Sequence, residues 1–292
     1  MSAAVRELPI VVGVDGSEPS LRAVDWAAEE AVLRGAPLRL VYASLWERYE
    51  GALLAQELGR PAEEVMARDV VGVAEQRVRT GRPGVPVTTD VLPEEPESGL
   101  VRESRTALAV VLGVRGRGGV AEALLGSVGV TVAGHAHCPV IVVRGGPEPA
   151  GARGRVVLGV PGRPAGSAAV RFAIREAALR EVPLEALRAW RRPGHALSGH
   201  PHEQDAAELV EQALADAPEG MELRRSRVEG NARDALLAAS RDAGLLVVGV
   251  SRRHGRLGPQ LGRVPHGVLH HAHCPVAVVP EPPGPAAHPE PA

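Results

Sequence analysis

The chain contains one unit twice. Trp26, Ala27, Glu30, Ala31, Arg34, Pro37 and Leu38 recur with the same spacing as Phe172, Ala173, Glu176, Ala177, Arg180, Pro183 and Leu184, an offset of 146 residues. Further on, Ser104, Gly113, Leu125, Gly126, His137, Cys138, Pro139 and Val140 recur as Ser240, Gly249, Leu261, Gly262, His273, Cys274, Pro275 and Val276 at an offset of 136. The second copy has therefore lost about ten residues between its second strand and its third helix. A duplicated sequence must fold the same way twice, and 292 residues suffice for two cores of ordinary size.

Each copy alternates short apolar runs with amphipathic stretches. In the first, residues 10–14, 38–43, 85–92, 108–113 and 140–143 are short, aliphatic or β-branched, and flanked by Gly, Pro or Asp, so they read as strands. The segment from Ser17 to Gly35 reads as a helix. It opens on a serine cap followed by Glu18 and Pro19, closes on glycine, and places Leu21, Val24, Ala28, Ala31 and Val32 on one face. Strand and helix in alternation predict an α/β fold, a parallel sheet with helices on both faces. The fourth strand is apolar throughout and belongs in the middle of that sheet. The boundaries that follow are 1–144 for the first domain, 145–154 for a Gly- and Pro-rich linker, 155–280 for the second domain, and 281–292 for a proline-rich, disordered tail.

Composition narrows the chemistry. All 33 basic residues are arginine, so neither Schiff-base chemistry nor a phosphate-gripping P-loop lysine is available. Any phosphate site must use backbone amides and arginine. A net charge of −2 gives no global reason to expect nucleic acid or an acidic membrane as partner. The opening MSAAVRELPIVVGVDGS lacks the apolar run of a signal peptide, and no stretch approaches membrane-span length, which predicts a cytoplasmic protein. The Arg-Gly-Arg-Gly-Gly run at 115–119 is single and lacks stacking aromatics, which argues against RNA.

Gly113, Gly116, Gly126 and Ser127 form a Gly-x2-Gly-x9-Gly-Ser pattern that begins where the fourth strand ends. In an open parallel sheet, ligands lie beyond the carboxyl ends of the strands, and Asp15 at the end of the first strand faces the same crevice. Glycines let a phosphate approach the main chain, and a helix beginning at Gly126–Ser127 points free amides at an anion. Arg115 and Arg117 add positive charge nearby. With VVGVDGS, VVLGVRGRGGVAEALLGSV and HAHCPVIVVR, this pattern resembles the universal stress protein family in its tandem form, through nearly all of both halves. The resemblance implies two Rossmann-like, adenine nucleotide alpha hydrolase-like domains, each a five-stranded parallel sheet of order 3-2-1-4-5. It also implies a first half that binds ATP or another adenine nucleotide, with or without Mg2+. Asp15 would then accept a hydrogen bond from the nucleoside, the Val41 backbone would contact adenine, and the backbone at Gly113, Gly116, Gly126, Ser127 and Val128 would hold ribose and phosphates.

Several residues carry a second reading. Asp15 and Ser127 are also good helix caps. His135, His137 and Cys138, with His271, His273 and Cys274, suit zinc by residue type, but they sit where a helix ends, where histidine complements the dipole and proline stops the turn. Val114 stands where many tandem members have serine, and the acidic run Glu94, Glu95 and Glu97 lies in the region that usually carries small residues. The second copy lacks three features: Pro161 replaces Asp15, Arg252 replaces Gly116, and Arg263 replaces Ser127. The resemblance implies a non-catalytic stress-response module acting through an unknown protein partner. A slow ATPase and an interaction protein that binds no nucleotide are the alternatives. The two halves are expected to pair as an internal pseudo-dimer through the final strands, residues 140–143 and 276–279. Association of two chains is left open.

Overall fold

A computed structural model describes residues 8–45, 62–114, 126–144, 154–192, 203–251 and 261–281. Gly116, Arg115, Arg117, Arg252, the linker 145–153 and the tail 282–292 lie outside them. The first half runs β1 (Ile10–Gly13), α1 (Glu18–Arg34), β2 (Leu38–Ala43), α2 (Ala62–Gly81), β3 (Val87–Leu92), α3 (Pro96–Glu103), β4 (Ala109–Gly113), α4 (Ser127–His135) and β5 (Val140–Val143). The second repeats it as β6 (Arg155–Gly159), α5 (Ala168–Arg180), β7 (Leu184–Trp190), α6 (Glu203–Leu214), β8 (Leu223–Glu229), α7 (Ala232–Ala239), β9 (Ala243–Val250), α8 (Arg263–His271) and β10 (Val276–Pro280). The helix after the second strand has 20 residues in the first copy and 12 in the second, in keeping with the ten-residue loss.

Each half is an α/β sheet in the expected order, and the two form one ten-stranded sheet, β3-β2-β1-β4-β5-β10-β9-β6-β7-β8. Pairing within a half is parallel; the single antiparallel junction joins β5 to β10, with Val142 opposite Val276 and Val140 opposite Val278. Neither final strand is left as an edge, which removes the liability of an open ladder. Alternate strand residues enter opposite layers. Ile10, Val12, Leu38, Leu40, Val111 and Ile141 pack with the helices after the first and second strands. Val11, Val41, Val110, Leu112 and Val142 pack with the helices after the third and fourth. β4, buried from Ala109 to Leu112, lies between β1 and β5.

Local signals fix the helix ends. Ser17 caps α1 by accepting from the Ser20 amide, and Gly35 ends it in the left-handed region at φ 63°. Its counterpart in α5 is Glu181, which takes the same conformation at φ 54°. The repeated serines Ser104 and Ser240 are hinges of hydrogen bonding. Each hydroxyl donates to a carbonyl three residues back, of Val101 or Leu237, and accepts the amide of His137 or His273.

Two residues at the ends of the halves are held. Arg144 at the end of β5 is buried and donates to the carbonyls of Leu269, His270 and Ala272, closing the carboxyl end of α8 in the other half. Glu281, placed by composition in the disordered tail, accepts from the Ser167 hydroxyl and the Ala168 amide at the start of α5, at 2.5 and 2.8 Å. A carboxylate at a helix amino terminus is stabilising, and that outweighs the prolines around it. No helix among the described residues is long and apolar enough to cross a membrane.

Candidate functional site

A cavity of about 360 Å³ opens at the carboxyl ends of β1, β2 and β4 and is closed by the starts of α3 and α4. Its size lies in the range of small-molecule sites, about 300–1,000 Å³. Six of the seven residues expected from sequence line it: Asp15, Val41, Gly113, Gly126, Ser127 and Val128. The seventh, Gly116, lies outside the described residues.

The anion end is built from α4. Gly126 is the N-cap and Val130 is the first residue whose amide returns to it, at 3.3 Å. The amides of Ser127, Val128 and Gly129 thus have no acceptor within the helix, and all three residues line the cavity. A Cβ added to Gly126 would meet nothing within 4 Å, so this glycine faces open space. Ser127 is the first helical residue and not the cap; its Oγ lies 3.4 Å from Glu97 Oε1. The acidic run thus delivers one carboxylate to the anion end, while Glu94 pairs with Arg102.

Asp15 stands on the opposite wall, half-buried. Its Oδ1 accepts the Ser17 amide at 2.9 Å and the Ser17 hydroxyl at 2.6 Å, so it braces the residue that caps α1 without itself being the cap. Val41 lines the cavity from within the second strand. It lies inside β2, which continues to Ala43, and its carbonyl accepts the Val14 amide at 2.9 Å. Its side chain, with Leu100, Leu112 and Val128, supplies an apolar wall. Gly113 is required by packing. A Cβ there would sit 2.5 Å from the Pro19 carbonyl oxygen, where α1 begins against the end of β4.

Sequence pattern missed Ser20, Pro96 and Leu100, which also line the cavity. Ser20 alone left a signal, as a hydroxyl on an otherwise alanine-rich face. It is buried, donating to the Ser17 carbonyl at 2.8 Å.

The histidine–cysteine groups do not form a site of their own. Among the described residues no cluster of three or more His, Cys, Asp or Glu is placed to hold a metal ion. Cys138 and Cys274 are buried, and burial pushes both thiols up to about 12. His135 Nδ1 lies 2.8 Å from the Thr131 carbonyl of its own helix.

Comparison with known proteins agrees with this architecture. The model of the universal stress protein family matches residues 8–144 and again 152–280. Universal stress protein Rv1996 of Mycobacterium tuberculosis is 34% identical, over 98% of this chain and 99% of its own length. A universal stress protein of Mycolicibacterium smegmatis is 33% identical, over 96% and 99%. The crystal structure of a universal stress protein from Archaeoglobus fulgidus superposes with a TM-score of 0.69 at 16% identity, covering 94% of this chain and 99% of that one, a likeness of fold.

Proposed function

Because the chain belongs to the universal stress protein family, we propose that its first half is a non-catalytic adenine-nucleotide-binding module that acts through contacts with other proteins. The observation that carries this is the convergence of three uncommitted amides at the start of α4 with an apolar wall and the Asp15 carboxylate around one cavity. Adenine fits against Val41, Leu100 and Leu112, the sugar hydroxyls against Asp15, and phosphates against the amides of Ser127, Val128 and Gly129. By the family pattern, the backbone at Gly113 and Gly116 would also serve the ribose and phosphates. A magnesium ion would arrive on the phosphates.

In the second half we assign no adenosine site. Pro161 stands at the Asp15 position, Arg263 at the Ser127 position, and Pro265, which has no amide hydrogen, at the Gly129 position. Adenine nucleotide is expected to bind there at least tenfold more weakly, a difference of about 1.4 kcal/mol or more. The division into a nucleotide-binding half, 1–144, and a structural half, 155–280, follows from this contrast.

Isothermal titration of the full chain with ATP, ADP, AMP and adenosine tests the reading. One nucleotide per chain is expected, with unfolding stabilised by about 2.7 kcal/mol at 100 times the dissociation constant. Affinity should fall at least tenfold in Asp15→Ala. No heat and no melting shift with any adenylate would overturn it.

A further inference from the structure

The second half is not simply an emptied copy of the first. At the carboxyl ends of β6, β7 and β9 lies a cavity of about 530 Å³, larger than its counterpart. Its charge is reversed. The first cavity is lined by Asp15 and by no arginine among the described residues, with Glu97 at its anion end. The second is lined by Arg188, Arg191 and Arg263 and by no Asp or Glu among the described residues.

Among the described residues these arginines are not paired with carboxylates. Arg188 Nη1 donates to the Val160 carbonyl at 2.7 Å, while its Nε is buried and has no hydrogen-bond partner among the described residues. Burial pushes this guanidinium below the ordinary arginine value, and no acid raises it again, in contrast to Arg34 and Arg39, which glutamates hold above that value. Two neighbouring acids are already bonded, although Glu281 lies against the cavity-lining Gly249. Glu281 is bound by Ser167, Ala168 and Ala169, and Glu229 lies 3.3 Å from Arg192. The segments that adjoin the cavity in sequence, 193–202 and 252–260, contain no Asp or Glu.

We infer that this second cavity binds a small molecule carrying two or more phosphate groups and does not recognise adenosine. Three guanidinium groups around a cleft match an oligophosphate in charge and in bidentate geometry. The positive end of α7 adds partial charge to the cleft at Asn231 and Ala232, which line it, although the Arg233 amide is taken by the Asn231 side chain. What is lost is the nucleoside end: the carboxylate is gone, and Arg188 and Trp190 line the cleft on either side of Ala189, the counterpart of Ala43. This assignment goes beyond the nucleotide reading of the first half and does not depend on it.

Titration calorimetry of the full chain with inorganic tripolyphosphate tests the inference. It is run on the parent and on Ser127→Glu, which sets a carboxylate at the anion end of the first cavity and leaves the second unchanged. The Ser127→Glu chain is expected to bind one tripolyphosphate, with affinity falling at least tenfold when Arg191→Glu or Arg263→Glu is added, and adenosine should not displace the probe. Arg191 and Arg263 are exposed, so their replacement spares the core, and thermal melting of each variant verifies the fold. Tripolyphosphate binding abolished by Ser127→Glu, insensitive to both arginine reversals, or absent altogether would overturn the inference. A first half that fails to bind ATP would change none of these readings, so the two proposals fail separately.

Discussion

Arg34 and Glu176, 142 residues apart in sequence, form an ion pair in the interior of the seam between the halves. Arg34 also bonds Glu30 of its own helix, and Arg180 mirrors it by pairing with Glu30 and Glu176. Each guanidinium lies over an aromatic ring of the other half, Arg34 5.6 Å from Phe172 and Arg180 5.3 Å from Trp26. All four charged side chains are at most 8% exposed. Removing one cation leaves a buried carboxylate uncompensated, so Arg34→Met should cost about 3–5 kcal/mol in urea unfolding.

The same box makes stability depend on pH. Burial, reinforced by Glu30, pushes Glu176 up to about 7, above the ordinary 4.5. The folded chain thus keeps a proton that the unfolded chain releases. The stability this contributes is complete below pH 4.5 and is lost as pH rises through about 7. Unfolding free energy measured from pH 4.5 to 8 should decline over that window, and Glu176→Gln should flatten the decline.

Glu97 beside Ser127 opposes phosphates that approach the start of α4. Glu97→Gln should tighten ATP by about 1 kcal/mol, roughly fivefold, tighten AMP less, and leave adenosine unchanged. Calorimetry with the three ligands reads the gradient, and an equal effect on all three would contradict it.

The two motif glycines should separate by assay. At Gly113 a methyl group collides with the Pro19 carbonyl, so Gly113→Ala should destabilise the fold by about 1–3 kcal/mol. At Gly126 the methyl group enters open space, so Gly126→Ala should cost about 1 kcal/mol or less in stability while weakening nucleotide binding. Urea unfolding alongside titration distinguishes them.

Glu181 holds a left-handed conformation that the first copy gives to Gly35. Since a side chain makes that region costly by about 1–2 kcal/mol, Glu181→Gly should stabilise the chain by about 1 kcal/mol, and Gly35→Ala should destabilise it comparably. Thermal melting of both variants checks the pair.

The duplication, the strands and their layering were legible because hydrophobic period and helix caps are local properties. So was most of the first cavity, since Asp15, Gly113 and Gly126–Ser127 sit at strand ends and helix starts. Purpose was less legible than position. Recurrence exposed Glu30, Arg34, Glu176 and Arg180, but a pairing across the seam appears only when α1 and α5 meet. Gly113 lines the cavity, and its lack of a side chain also serves the close approach of Pro19, which spacing did not reveal. Glu97 reaches Ser127, and Glu281 reaches α5, through contacts between distant segments that no spacing rule encodes.

The antiparallel junction of β5 and β10 has a consequence for signalling. Since the strands of one half run opposite to those of the other, their carboxyl ends, and both clefts, face opposite rims of the sheet. Two captured molecules would never touch. A single receptor lying on one rim would sense one occupant, and any conversation between the two must cross the junction of the halves, through the β5–β10 ladder, the Arg144 contacts and the α1–α5 seam.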